Sequence, residues 1–275
     1  MNRLRIAVAM SAGASLLLGS AAVQAQGAPP YYVAPGEPQN HGLLSPTMGQ
    51  PARKTAGYEP PKDPRNFEGD WSKVLGYNAL IPVGNGTTWV KPPFTERGEK
   101  VFWHRVELEH AGTPVPDAGI QCKPMGLSRA MNAEFGHRYL QSPDLLRIMI
   151  NEDHLVRWIR IGGKHPVNLK PSYMGDSVAH WEGNTLVIDS IGFNDRTWLD
   201  FDGTPHSTQL HIVERLRKLD DYQLEDVMTI EDPVMYTKPW SVQMVYAWAP
   251  ITAPGVEIIC EENGVQVQDY TGKDL

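Results

Sequence analysis

Side chains suited to acid–base chemistry occur close together in the second half of the chain. His165 and Asp176 belong to one polar segment, and Asp195 and His206 belong to the next one. Imidazole titrates near neutral pH, and a neighbouring carboxylate can fix its tautomer. We therefore predict His206 as a general base that Asp195 orients, with His165 or Asp176 as a second proton-transfer group.

Aromatic and cationic residues accompany these groups. Arg196 and Trp198 follow Asp195 closely, while Tyr236 and Trp240 lie in a third polar segment. Aromatic rings hold flat apolar molecules by stacking, and an arginine can stabilise a developing oxyanion. These four residues are predicted to bind a small apolar or aromatic substrate.

Two of the candidate residues also have a purely structural interpretation. His206 follows Pro205, where an imidazole can cap a loop through a backbone hydrogen bond. Trp240 shares one strand face with Met244 and Trp248, and an apolar stripe of this kind is typical of a barrel core. The stripe indicates an apolar ligand only if the barrel is hollow.

Neither a metal nor a cofactor is expected. The sequence lacks HExxH and paired CxxC motifs, and it also lacks the P-loop, GxSxG and GxGxxG patterns. Asp195, Asp200 and Asp202 form an acidic loop without the spacing of an EF-hand. His206 and His211 are five positions apart, so they lie on opposite faces of a regular strand and cannot bind one zinc ion from it.

Glu214 is predicted to face the interior because it shares strand parity with Ile212 and Leu216. It lies eight residues from His206, about 26 Å along a straight strand, which is too far for a dyad. We predict instead that Glu214 forms a buried ion pair with Arg157.

Composition and charge exclude two classes of protein. Apolar residues make up 41% of the 275 residues, which is more than a charged disordered chain contains. The formal net charge is −7, whereas a protein that binds nucleic acid through its phosphates normally has a basic surplus. A folded protein that does not bind nucleic acid is therefore expected.

The first 25 residues have the features of a secretory signal peptide. Arg3 and Arg5 precede an apolar run, and small residues at Val23 and Ala25 suit a cleavage site. The run is too short to span a bilayer, so we expect no membrane span and a periplasmic or secreted protein. In that oxidising compartment Cys122 and Cys260 could pair, although two separate buried thiols remain an alternative.

The remaining chain divides into a proline-rich arm and one folded domain. Residues 26–66 contain nine prolines and no alternating apolar pattern, which indicates an extended arm. The folded domain is predicted over 67–275. Thr95 can cap a helix that continues to about residue 110, and prolines indicate an irregular segment over 112–143.

From residue 144 onward the pattern is typical of β-strands, with tight turns at 182–185 and 219–222. An antiparallel meander of this length normally closes, because an open sheet leaves two exposed edges. We predict an all-β fold, an eight- or nine-stranded lipocalin-like barrel with one N-terminal helix. The predicted strands are 69–71, 145–150, 155–161, 177–182, 185–191, 208–219, 223–230, 241–248 and 256–261.

In such a meander the connections alternate between the two ends of the barrel. Three long polar connections, 162–176, 192–207 and 231–240, are predicted at one end, where binding sites are commonly located. Four shorter connections are predicted at the other end, at 151–154, 182–185, 219–222 and 249–255.

Two stretches resemble motifs of known families. WEGNTLVID at 181–189 and YTKPW at 236–240 are similar to the W-E-G-D-T-L-V-V-D and Y-T-x-P-W motifs of a group of uncharacterised exported bacterial proteins. The resemblance covers roughly residues 120–265 and implies export, but no activity. The chain departs from that pattern with Asn184 in place of Asp, and with His180 in place of a basic residue. Separately, GDW at 69–71 resembles the G-x-W motif of lipocalins, which implies that Trp71 plugs a closed barrel end.

We therefore expect an exported enzyme that performs elimination, isomerisation or hydrolysis on an apolar or aromatic small molecule. The alternative is a non-catalytic periplasmic carrier of an apolar ligand. A third possibility is an envelope protein that docks a partner through residues 26–66.

Overall fold

The computed structural model describes residues 59–73 and 91–249, apart from 114, 116, 120, 134–135 and 152–154. The predicted signal peptide, most of the proline-rich arm and the predicted strand at 256–261 lie outside the described residues. Cys122 is disulfide-bonded. Cys260, which was predicted as its possible partner, lies outside the described residues. In the part of the chain that is described, no helix has the length and apolar character needed to cross a membrane.

Nine strands form one closed barrel, which confirms the predicted all-β barrel. Six of the predicted strands match the observed ones to within one residue at each end, because in-and-out alternation and tight turns are local signals. The strands are β1 (Gly69–Lys73), β2 (His137–Ser142), β3 (Leu145–Ile150), β4 (Leu155–Ile161), β5 (Asp176–Glu182), β6 (Thr185–Ile191), β7 (His211–Asp220), β8 (Gln223–Glu231) and β9 (Trp240–Trp248).

Strand β2 lies in the segment that was predicted to be irregular, so that prediction was wrong. Its inward positions are His137 and Tyr139 instead of aliphatic residues, which hides the alternation in the sequence. The strand is essential for closure, since β1 pairs with β2 on one side and with β9 on the other. Helix α2 (Leu127–Asn132) precedes it and was also missed.

The prediction of a purely antiparallel meander fails at one pair of strands. β4 and β5 are parallel, with Ile159 beside Ser177 and Ile161 beside Ala179. Because the two strands are parallel, both start at the same end of the barrel. The connection 162–175 therefore runs back from the end where β4 finishes to the end where β5 starts. As a result the β3 to β4 link belongs to the same end as the connections 192–210 and 232–239, against the prediction. We call this end the long-loop end.

Helix α1 (Glu96–His110) packs on the connection 232–239 at the long-loop end. Thr95 caps it as predicted, since the Gly98 amide donates to Thr95 Oγ1 at 3.1 Å. The Thr95 hydroxyl donates in turn to the Val234 carbonyl at 2.7 Å. The helix is thus fixed to the barrel at its first turn.

Large side chains occupy the interior of the barrel. Trp71 is fully buried, and its ring meets Trp248 edge-on with centroids 5.1 Å apart. The predicted pair of Arg157 and Glu214 is confirmed, with Arg157 Nη1 donating to Glu214 Oε1 at 2.8 Å. Helix α2 is buried against the long-loop end, where its Met131 carbonyl accepts a bond of 2.9 Å from the Tyr246 hydroxyl.

Candidate active site

A cavity of about 460 Å³ lies at the long-loop end, between helix α1, residues 115–123 and residues 195–198. Its walls carry both signs of charge together with two aromatic rings, so it suits a small polar or ionic molecule. The lining residues are Arg105, Val115, Asp117, Ala118, Gln121, Lys123, Tyr173, Asp195, Arg196, Thr197 and Trp198.

Trp198 forms a rigid wall of this cavity. The Arg105 guanidinium lies 4.2 Å from the centroid of the indole, and that of Arg129 lies 5.7 Å from it. Arg129 also donates to Asp117 at 2.6 Å, and both of these side chains are buried. Stacked cations fix the orientation of the indole and raise the positive charge around it.

Thr197 connects the cavity to His206. Its Oγ1 lies 2.8 Å from His206 Nε2, and the other ring nitrogen lies 3.1 Å from the Ser207 carbonyl oxygen. A carbonyl oxygen can only accept, so Nδ1 carries the proton. Burial lowers the pKa of His206. The neutral ring therefore offers the Nε2 lone pair to the Thr197 hydroxyl, which is the geometry of a general base beside a hydroxyl nucleophile.

This arrangement differs from the prediction in the residue that orients His206. Asp195 was predicted to do so, but both ring nitrogens have other partners, and the Ser207 carbonyl fixes the tautomer. Asp195 and Arg196 are exposed at the rim of the cavity instead. Burial lowers the pKa of His206, and Asp195 acts on the imidazole through its charge, which opposes the effect of burial.

His165 and Asp176 lie on the outer wall of the barrel, away from the cavity lining. His165 Nδ1 is 2.6 Å from Asp176, and its Nε2 is 2.9 Å from Asp189. Arg160 donates to both oxygens of Asp176, at 2.9 and 2.7 Å, and this is the main cause of the lowered pKa of Asp176. These groups tie the connection 162–175 to the wall, and nothing in their contacts joins them to His206.

Tyr236 and Trp240 are buried beside the site and do not line the cavity. Tyr236 stacks on Phe94 with centroids 5.6 Å apart, and Trp240 meets it edge-on at 5.3 Å. The Tyr236 hydroxyl donates to the Pro205 carbonyl at 2.5 Å. Tyr236 therefore holds in place the residue before His206.

Sequence reasoning missed several residues of the cavity. Thr197 stands between two predicted residues, Arg196 and Trp198, but nothing in its own position marks it. Asp117 and Lys123 lie in a segment where prolines obscure any pattern. Arg105 belongs to the predicted helix α1. The only feature of the sequence that marks it is its position directly before Val106, a residue on the buried side of that helix.

A second polar cluster lies inside the barrel. Arg157 also donates to Ser190 at 3.1 Å and to Ser177 at 3.3 Å, and Asp226 lies beside Glu214. Burial and the charge of Glu214 raise the pKa of Asp226 well above its usual range, so Asp226 holds a proton. The side chains of this cluster occupy the middle of the barrel.

No group of three or more His, Cys, Asp or Glu side chains within the described residues is arranged to hold a metal ion. Comparisons with models of protein families, with curated proteins and with solved structures found no match to this chain. The chemistry of the cavity is therefore inferred from its geometry.

Proposed function

We propose that the protein is a small-molecule hydrolase, in which Thr197 is the nucleophile and His206 is the general base. The observation that carries this proposal is the 2.8 Å bond between Thr197 Oγ1 and His206 Nε2 at the wall of a charged cavity. A threonine hydroxyl is a weak nucleophile until an adjacent base accepts its proton.

The reaction proceeds by acyl transfer. His206 Nε2 takes the Thr197 proton while Oγ1 forms a bond to the substrate carbonyl carbon, and the protonated imidazole then gives this proton to the leaving group. A water molecule, deprotonated by the same nitrogen, cleaves the acyl ester and restores Thr197. Arg196 at the cavity rim stabilises the oxyanion that forms in each half of the reaction.

The residues that line the cavity change the class of substrate that we expect. Trp198 and Tyr173 suit a flat or aromatic group, as the sequence indicated. Arg105, Lys123 and Arg196 add three cationic groups to the lining. We therefore propose an ester whose acyl group carries a carboxylate, in place of a purely apolar molecule, and we retain the proposal that the protein acts in the periplasm or outside the cell.

The test compares two chromogenic esters, neutral 4-nitrophenyl acetate and an anionic 4-nitrophenyl hemisuccinate. The anionic ester should be the better substrate, and mass spectrometry after rapid quenching should find the succinyl group on Thr197. Thr197→Val and His206→Gln should each lower kcat by about a hundredfold or more, as expected for loss of a nucleophile or its base.

The controls separate chemistry from folding. Thr197→Ser keeps a hydroxyl and should retain activity, and His165→Ala on the outer wall should leave kcat unchanged. Because burial lowers the pKa of His206, kcat should be constant near pH 7 and should decline only on the acid side of the usual histidine range. Full activity of Thr197→Val would refute the proposal.

The carrier alternative has less support. A hollow carrier binds its ligand inside the barrel, yet in this chain Arg157, Glu214, Trp71 and Trp248 occupy the interior and are at most 2% exposed. A hydrophobic ligand that remains bound through purification, detected by native mass spectrometry, would instead favour the carrier.

A further inference from the structure

The outer face of strands β2, β3 and β4 differs in composition from the rest of this acidic protein. Their outward positions form three rows across the three strands, which the pairing register defines. We call these nine positions the β2–β4 face, and none of them is Asp or Glu. The rows are Arg138, Met149 and Val156; Leu140, Arg147 and Trp158; and Ser142, Leu145 and Arg160.

Large apolar side chains on this face are exposed to solvent. Trp158 is 55% exposed and Met149 40%, while Leu140 and Val156 are each 37% exposed. They are four of the six large hydrophobic residues that are exposed in the described part of the chain. Exposed apolar residues that cluster in this way mark an interaction surface.

Each row also contains one arginine. Arg147 lies 4.9 Å from the centroid of the Trp158 ring, and the stacking holds both side chains above the strands. Arg138 and Arg160 flank this pair, and each binds a carboxylate at the border of the face, Asp70 and Asp176 respectively. The centre of the face is therefore cationic as well as apolar.

The charge pattern argues against a second copy of the chain as the partner. Arg138 and Arg160 are already paired with Asp70 and Asp176, so the uncompensated charge of this face is that of the central Arg147. A two-fold contact centred on this face would set the two copies of Arg147 near each other, with no carboxylate among the nine positions to neutralise them. A contact with a different, acidic surface of another copy would not close on itself and would build an open chain of molecules.

We propose that the β2–β4 face binds to the surface of an anionic lipid bilayer. Tryptophan prefers the membrane interface, aliphatic side chains enter the boundary of the acyl chains, and the central Arg147 can pair with an anionic headgroup. The barrel wall is convex, so its side chains protrude toward a flat surface. At physiological ionic strength the Debye length is about 8 Å, which screens the acidic residues on other sides of the barrel from the lipid.

The experiment is co-sedimentation of the full chain with vesicles. Vesicles of phosphatidylcholine with 30 mol% phosphatidylglycerol should bind the protein, and pure phosphatidylcholine vesicles should bind it far less. Arg147→Glu should weaken binding by about thirtyfold. The substitution replaces a positive charge by a negative one beside an anionic surface, so the net charge changes by two. Trp158→Ser should also weaken binding.

Matched variants on other parts of the barrel serve as controls. Arg215→Glu reverses an exposed arginine on the outer face of β7, and Val167→Ser removes an apolar side chain that is 99% exposed. Neither should change vesicle binding. Subtracting the emission spectrum of Trp158→Phe from that of the wild type isolates the fluorescence of Trp158. This emission should shift to shorter wavelength when anionic vesicles are added.

Three results would overturn the proposal: no binding to anionic vesicles, an equal loss of binding in Arg215→Glu and Arg147→Glu, or a dimer that Arg147→Glu dissociates. Circular dichroism of each variant verifies that the barrel is folded. The proposal does not depend on the activity of Thr197, so each can fail without the other.

Discussion

Single buried side chains carry much of the specificity of this fold. Arg157 lies on β4 and is 2% exposed, and its guanidinium pairs with Glu214 on β7. The same guanidinium donates hydrogen bonds to Ser177 on β5 and to Ser190 on β6. Taking both charges out of water is costly, and the pair is tolerated because every partner is in place. The same reasoning applies to His206, whose two ring nitrogens are both bonded.

We expect Glu214→Gln to destabilise the protein by up to about 3–5 kcal/mol, because it breaks the buried ion pair and leaves Arg157 with Asp226 as its acidic neighbour, whose own ionisation is costly at this buried position. The double variant Arg157→Met with Glu214→Leu should be less destabilised than the single one, since it removes both charges. Urea unfolding followed by circular dichroism measures both values. A loss below about 1 kcal/mol in the single variant would contradict the importance of the pair.

At the scale of elements, helix α1 shows why a residue can contradict its local propensity. Gly98 weakens the sequence prediction of a helix, since glycine costs about 1 kcal/mol relative to alanine. The reason for it is packing: a Cβ at this position would overlap the carbonyl oxygen of Met235. The helix thereby approaches the connection 232–239 closely enough for the Thr95 amide to donate to Met235 at 2.9 Å.

Gly98→Ala should therefore destabilise the protein, although the substitution improves helix propensity. Lys100→Ala is the matched control, because Lys100 is exposed on the same helix and its replacement changes propensity alone. Thermal unfolding should give a lower Tm for Gly98→Ala and an unchanged or slightly higher Tm for Lys100→Ala. An increase in Tm for both variants would show that the helix can move away from Met235 at no cost.

At the scale of the whole molecule, buried histidines make stability depend on pH. Burial is the main cause that lowers the pKa of His137 to about 4, and the nearby charges of Lys73 and Arg157 act in the same direction. The folded state then binds fewer protons than the unfolded state between pH 6.5 and about 4. The contribution of His137 to the free energy of unfolding is complete above the unfolded pKa of about 6.5, and it is lost as the pH falls to about 4.

His137→Gln should remove this contribution. The difference in unfolding free energy between wild type and variant should decrease by about 3 kcal/mol from pH 7 to pH 4. The comparison between the two proteins is necessary because Asp226, whose pKa is raised, affects stability with the opposite sign. A difference that stays constant over this range would mean that His137 titrates normally in the folded protein.

The predictable part of the fold and the missed part have different physical origins. Strands β3, β4 and β6 have the predicted bounds because alternating apolar residues and tight turns are local features. β2 was missed because its inward residues, His137 and Tyr139, carry polar atoms, so the strand shows no alternation of aliphatic and polar residues in the sequence. The parallel pairing of β4 with β5 depends on the route of 162–175, which no local pattern determines.

The structure brings together only some of the residues that were predicted to form the site. Asp195, Arg196 and Trp198 do line one cavity, and His206 lies directly behind it. Tyr236 and Trp240 support the segment that carries His206, while His165 and Asp176 face outward. Proximity in sequence placed these residues in the same loops, but it did not show which side of each loop faces the cavity.

The sequence by itself determined the barrel and the polar character of one end of it, because strand alternation, turns and charged loop residues are all encoded over a few positions. The tertiary structure decided which of those residues lie together. Thr197 meets His206 nine residues away only because the loop between them folds back on the barrel. Such a contact depends on the path of the chain in space and on burial, which excludes water and sets the protonation state of the imidazole.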